Sequence, residues 1–158
     1  MQLSTCVGVR DNLPLQKEPN RMSTFTELPL SSALQRKLAE AQFLNLTPIQ
    51  ERTIPPAMEG RDVIGTAQTG TGKTLAYLIP LFEILQQEQS KNTVALVLLP
   101  TRELAMQVHD QYEQLRMKSM PKAALVIGGV SEKAQIQTLR AGAKLVICLL
   151  YTSDAADE

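Results

Sequence analysis

The stretch whose residue types could do chemistry is Ala67-Gln68-Thr69-Gly70-Thr71-Gly72-Lys73-Thr74. It lies between an apolar strand-like run, Asp62-Val63-Ile64-Gly65-Thr66, and an apolar helix-like run beginning at Leu75. Strand, glycine-bearing loop, Lys-Thr and helix is the layout of a phosphate-binding P-loop. Such a loop aims backbone N–H groups and a helix N-terminus at a polyphosphate. Glycine lets the backbone curl around the anion with no Cβ in the way. On this reading Lys73 reaches the outer phosphates and the Thr74 hydroxyl holds a magnesium ion. The first glycine of the general pattern G-x-x-x-x-G-K-[ST] is Ala67 here. The alternative is a turn that happens to contain two glycines and a lysine; strand and helix on the correct sides argue against it.

Several elements must position that loop. Ser31 can cap a helix with Leu30, Leu34, Leu38 and Ala41 on one face. A second helix runs from Pro48 towards Met58, with Pro55 and Pro56 expected to kink or break it. The helix after the loop is apolar almost all round, hence buried, and Pro80 should bend it. Val94–Leu99 is a fully apolar run of strand length, as for a buried parallel strand. A helix follows with Leu104, Val108, Tyr112 and Leu115 on one stripe. Ala123–Ile127 is a third strand, ending in Gly128-Gly129. Ser131–Ala141 reads as a helix stopped by Gly142, and Leu145–Cys148 as a fourth strand. Strands alternating with helices imply βαβ units, a parallel sheet and an α/β fold. Ligands of such sheets bind at the carboxyl ends of the strands. The loop, Pro100-Thr101-Arg102 and Gly128-Gly129 all fall at such ends, which predicts one working surface.

Composition narrows the function classes. At 158 residues, 44% hydrophobic and 20% charged, one soluble domain is the default expectation. The formal net charge is zero, so any grip on nucleic acid must be local. Three Phe, three Tyr and no Trp exclude a broad base-stacking platform. Cys6 and Cys148 form no C-x-x-C pair, which fits a reducing, cytoplasmic setting better than a disulfide framework or metal site. No apolar run approaches the ~20 residues that span a bilayer, so no membrane role is expected. Residues 1–23 are polar and irregular and read as a disordered tail, with Met22 a candidate natural start. His109 has no metal-spaced partner and reads as a surface residue.

Four ordered motifs then resemble one family, the DEAD-box ATP-dependent RNA helicases. The A-x-T-G-x-G-K-T form of the loop, Ala67 included, is that family's version. Pro100-Thr101-Arg102-Glu103-Leu104-Ala105-Met106-Gln107 is similar to its P-T-R-E-L-A-x-Q segment. Thr47-Pro48-Ile49-Gln50 resembles the end of its adenine-reading Q motif, with Phe25 at the place of its isolated upstream aromatic. Gly128-Gly129 matches its glycine doublet. Gln42 stands where a glycine is usual and Leu46 where a proline is usual. The resemblance covers residues from about 25 to 148. It implies a RecA-like P-loop NTPase fold that binds ATP with magnesium and grips RNA by its backbone. It also implies a second RecA-like domain as partner in the intact protein.

The resemblance assigns roles residue by residue. Gln50 offers an amide donor and acceptor to the adenine N6/N7 edge, which guanine would mismatch. Phe25 would stack on the base. Phe25, Thr47, Gln50 and residues Ala67, Gln68, Thr69, Gly70, Thr71, Gly72, Lys73 and Thr74 form the implied nucleotide site, Lys73 and Thr74 being the catalytic pair. Pro100, Thr101, Arg102, Gly128 and Gly129 form the implied RNA contact. Plainer alternatives stand beside each: a core anchor for Phe25, a solvated helix residue for Gln50, a water-facing or Glu103-bridged arginine for Arg102, and a tight turn for the doublet.

The family's T-P-G-R segment and its D-E-A-D carboxylates have no counterpart after Cys148. Asp154–Glu158 resembles D-E-A-D only superficially, in the wrong order and too near the fourth strand, and reads as an acidic solvated tail. Residues 149–158 therefore read as non-family sequence, consistent with truncation and a foreign end. A sheet cut before its carboxylate-bearing strand should leave open edges and uncovered apolar helices, so the chain alone is expected to be unstable or to aggregate, and to hydrolyse little ATP. Two other functional classes remain at this point: another P-loop NTPase such as a small-molecule kinase or transport ATPase, and a non-enzymatic nucleotide- or RNA-binding module.

Overall fold

The computed structural model describes residues 24–90 and 92–150, and the readings made for residues 1–23 and 151–158 lie outside that range. The chain divides into two compact units, Met1–Glu83 and Ile84–Glu158.

The first unit opens with a short 3₁₀ turn, Phe25–Glu27, and a helix α1, Ser32–Glu40. Ser31 caps α1 as its position predicts, its Oγ accepting from the Leu34 N–H at 3.4 Å. That cap is itself held from a distance. Oε1 of Glu83, a carboxylate only 8% exposed, accepts both the Ser31 N–H and the Ser31 hydroxyl at 2.9 Å. The far end of α1 closes in a Schellman turn: Phe43 N–H donates to Leu38 O at 2.8 Å and Gln42 N–H to Ala39 O at 3.0 Å. Gln42 takes the left-handed position there, with φ 61°.

Helix α2, Pro48–Met58, holds its shape through Pro55 and Pro56 and stops two residues after Pro56. The prolines withhold donors only from the Glu51 and Arg52 carbonyls, and the helical bonding resumes beyond them, Glu59 N–H donating to Pro55 O at 3.1 Å. Helix α3, Lys73–Gln87, starts two residues before the expected Leu75, because Gly72 O already accepts the Ala76 N–H at 3.2 Å. Leu75, Leu78, Ile79 and Phe82 are buried, as its apolarity requires.

The expectation of a strand at Asp62–Thr66 is not met. Residues 61–68 carry no strand or helix, and Val63 and Ile64 are 39% and 57% exposed. A β-strand exists only by pairing, and no described strand pairs with this segment. The expected four strands are therefore three.

Those three belong to the second unit: β1 (Ala95–Leu99), β2 (Ala124–Val126) and β3 (Leu145–Leu149), with helices α4 (Arg102–Leu115) and α5 (Glu132–Arg140). They form a parallel sheet in the order β1-β3-β2, with Val97 opposite Ile147 and Leu125 also opposite Ile147. Parallel neighbours need crossovers, which α4 and α5 supply. Helix α4 packs on the sheet through Ala105, Val108, Tyr112 and Leu115. β1 departs from the fully buried strand its composition predicts. Leu96 and Leu98 are 58% and 49% exposed, because the described helices of this unit cover only the face carrying Leu99, Leu145 and Ile147. Gly142, φ 88°, ends α5 where expected.

Candidate nucleotide site and nucleic-acid interface

In the first unit the loop between residue 67 and α3 turns tightly. Gly70 and Gly72 have φ 82° and 88°, and Thr71 Oγ1 donates to Gln68 O at 2.8 Å. Lys73 curls back over it, its Nζ donating to Ala67 O at 2.5 Å and Gln68 O at 2.6 Å. The ammonium thus sits over the loop's own carbonyls, and a phosphate oxygen would compete with those carbonyls for it. One turn along α3 from Thr74 stands Tyr77. Burial pushes the Tyr77 pKa above the ordinary tyrosine range, and the Thr74 side chain opposes it.

Gln50 joins this loop directly. It is 2% exposed, which removes the solvated-residue alternative. Its Oε1 accepts from Thr47 N–H at 2.9 Å, and its Nε2 donates to Gly72 O at 3.0 Å. A Cβ at residue 72 would strike Gln50 Nε2 and lie 3.1 Å from Thr47 Oγ1. Thr47 caps α2 in capping-box geometry, yet its buried Oγ1 closes no hydrogen bond. An orphaned buried hydroxyl facing a glycine cradle is a place where a ligand acceptor or donor fits. Each amide atom of Gln50 has one partner and the capacity for a second, enough for a base edge. Phe25 is 3% exposed, and its N–H donates to Leu44 O at 3.1 Å. The core-anchor reading of Phe25 therefore holds as it stands; stacking would need one ring face to open.

In the second unit, Thr101 caps α4, its Oγ1 accepting from Leu104 N–H at 3.3 Å, while Pro100 and Arg102 are exposed. Capping Leu104 gives Thr101 a structural role beside the expected one. Arg102 and the doublet meet in space. Gly128 and Gly129 are exposed at the end of β2, and a Cβ on Gly129 (φ 75°) would lie 2.6 Å from Arg102 Nη1. The guanidinium lies against the glycine backbone, a charged fork beside a chain stretch with no side chain of its own. His109 is half-buried, its Nδ1 3.6 Å from Asp110 Oδ1.

Three residues outside the sequence reading serve these sites. Glu83 ties α3 to the start of α1, Tyr77 stands one turn from Thr74, and Gln135 donates to two carbonyls around the doublet. Only Glu83 had a signal: a lone carboxylate inside an apolar helix. Among the described residues, no three His, Cys, Asp or Glu side chains gather to hold a metal ion. No helix among them is long and apolar enough to cross a membrane.

A helix-opening glycine loop with its lysine, and a parallel sheet with flanking helices, define the class: a P-loop α/β protein of RecA-like fold. The sequence profile of DEAD/DEAH box helicases matches residues 47–154. Over 124 residues the chain is 45% identical to the ATP-dependent RNA helicase DBP4 of Cryptococcus neoformans, covering 77% of this chain and 14% of that protein. It is equally identical over 123 residues to the DEAD-box ATP-dependent RNA helicase CshA of Streptococcus pneumoniae, covering 78% and 23%. The crystal structure of a DEAD box protein from Methanococcus jannaschii superposes with a TM-score of 0.73 at 33% identity, over 80% of this chain and 34% of that one. The chain belongs to the DEAD/DEAH box helicase family. It spans less than a quarter of the length of either curated relative.

Proposed function

We propose that this chain is the nucleotide- and RNA-binding portion of an ATP-dependent RNA helicase. Gln50 carries the reading: a buried amide that ties the capping Thr47 to the glycine loop at Gly72. A side chain so placed links recognition of a base to the shape of the phosphate loop. ATP would sit with its phosphates in residues 67–74, Lys73 leaving the Ala67 and Gln68 carbonyls for phosphate oxygens. Magnesium would be held by the Thr74 hydroxyl together with the phosphates, and supplies charge neutralisation of the transferred group. Gln50 would read adenine, the Thr47 hydroxyl would gain its missing partner, and Phe25 would offer a ring face.

RNA would lie on Arg102 and the Gly128-Gly129 turn, Arg102 pairing with a phosphate and the bare backbone admitting close approach. Contacts of this type read backbone and not sequence. A second RecA-like domain would complete the site in the longer protein, whose hydrolysis would be coupled to unwinding, in the cytoplasm. The segment Pro100–Gln107, and the pairing of Gln50 with the loop, favour this reading over a kinase or transport ATPase. A non-enzymatic binding module shares the same contacts and is separated by RNA-stimulated ATP turnover in the longer protein.

The test is nucleotide titration of the dilute chain with magnesium. ATP should bind more tightly than GTP, Gln50→Ala should weaken ATP about tenfold, and Lys73→Ala should nearly abolish binding. Equal affinity for ATP and GTP would refute the adenine-reading role.

A further inference from the structure

The turn that carries Gly128 and Gly129 is bracketed by a single side chain. Gln135, in the second turn of α5, donates from Nε2 to Ile127 O at 2.9 Å and to Val130 O at 3.2 Å. These carbonyls stand immediately before and after the doublet. One amide nitrogen has two hydrogens, so both bonds can form at once, fixing how far apart the ends of the turn lie. The local capping residue does not do this work: Ser131 makes no side-chain cap bond to α5. Gln135 is half-buried in a helix with no buried residue, so its position is spent on the turn and not on the core.

Two adjacent glycines are the most mobile backbone a chain can place at an interface. Left alone, such a turn would lose that freedom on each binding event, and affinity would fall accordingly. We infer that Gln135 is a positioning residue for RNA binding, holding the Gly128-Gly129 backbone in the shape that seats the Arg102 guanidinium. This rests on the reading of Arg102 and the doublet as an RNA contact. Gln135 itself touches no phosphate and carries no charge, so its effect passes wholly through the turn.

The experiment compares wild type, Gln135→Met, Gln135→Lys and Arg102→Ala in the chain at low concentration. Gln135→Met keeps length, helix propensity and charge but has no donor; Gln135→Lys keeps donors on a stem of similar reach. Hydrogen exchange of residues 127–131 without RNA reads the turn. Anisotropy of a labelled single-stranded oligouridylate over a series of salt concentrations reads binding. Gln135→Met should speed exchange at 127–131, with Gln135→Lys restoring it. Gln135→Met should also weaken RNA about tenfold, from loss of two hydrogen bonds, with ATP affinity and the salt slope unchanged. Arg102→Ala should lower both affinity and salt slope. Unchanged exchange, or faster exchange with unchanged RNA affinity, overturns the positioning role while a weakened Arg102→Ala keeps the RNA reading alive. No RNA binding by a wild type whose β1–β3 amides are protected from exchange, or none lost in Arg102→Ala, overturns both.

Discussion

The two glycine turns solve the same steric problem with opposite surroundings. At Gly72 and at Gly129 the backbone takes a positive φ, and at each a Cβ would collide with a nitrogen donor. At Gly72 that donor is the neutral amide of Gln50, 2% exposed and already bonded to the glycine carbonyl. At Gly129 it is the exposed charged fork of Arg102. A buried neutral donor suits recognition of one small ligand, because burial makes an unmatched partner expensive. An exposed cation suits a long polyanion, where attraction is strong but tolerant of sequence. On the proposed function, the difference between selective and unselective binding would lie in the burial of two nitrogen donors.

The largest effect should come from the buried turn. Gly72→Ala must relieve both the clash with Gln50 and the left-handed strain, and should weaken ATP on the order of a hundredfold, read by nucleotide titration. The scaffold under the exposed turn gives the next effect. Tyr112 is 1% exposed, donates its hydroxyl to Pro121 O at 3.0 Å, and has its pKa pushed up to about 12, chiefly by burial and then by Glu113, with Arg116 opposing. The unfolded chain releases this proton near pH 10 and the folded chain keeps it. Stability from this group is whole below pH 10 and is lost as pH rises towards 12, on the order of 3 kcal/mol. Denaturant unfolding across that range should show the fall, and Tyr112→Phe should flatten it.

Gly129→Ala should weaken RNA about tenfold and leave ATP affinity alone, since it displaces one surface guanidinium. An ATP effect as large as that of Gly72→Ala would erase the contrast between the turns. The smallest change is a gain. Gln42 occupies at φ 61° the position that Gly142 holds at φ 88° after α5, so Gln42→Gly should stabilise the fold by about 1 kcal/mol in denaturant titration.

Much of this was legible in the residues. Ser31 and Gly142 announce helix ends because capping is local chemistry, and both stand where expected. The tight turn at Gly70 and Gly72 was legible because glycine marks positive φ, whereas the burial of Gln50 against Gly72 came from the fold. What failed was anything that depends on neighbours. Asp62–Thr66 has the composition of a strand, but pairing is a property of two segments. Leu96 and Leu98 look buried in the sequence, and nothing in a single strand tells which face a helix covers. Glu83 and Gln135 escaped because their partners, Ser31 and the Ile127 and Val130 carbonyls, are chosen by the fold.

Hydrogen exchange on the dilute wild-type chain, with ATP and magnesium and separately with oligouridylate, tests the contrast most directly. ATP should slow exchange across residues 67–76 and 48–54, and RNA should slow it across 127–131. If ATP leaves the backbone around Gly72 and Gln50 as fast as before, the glycine loop is not a nucleotide site.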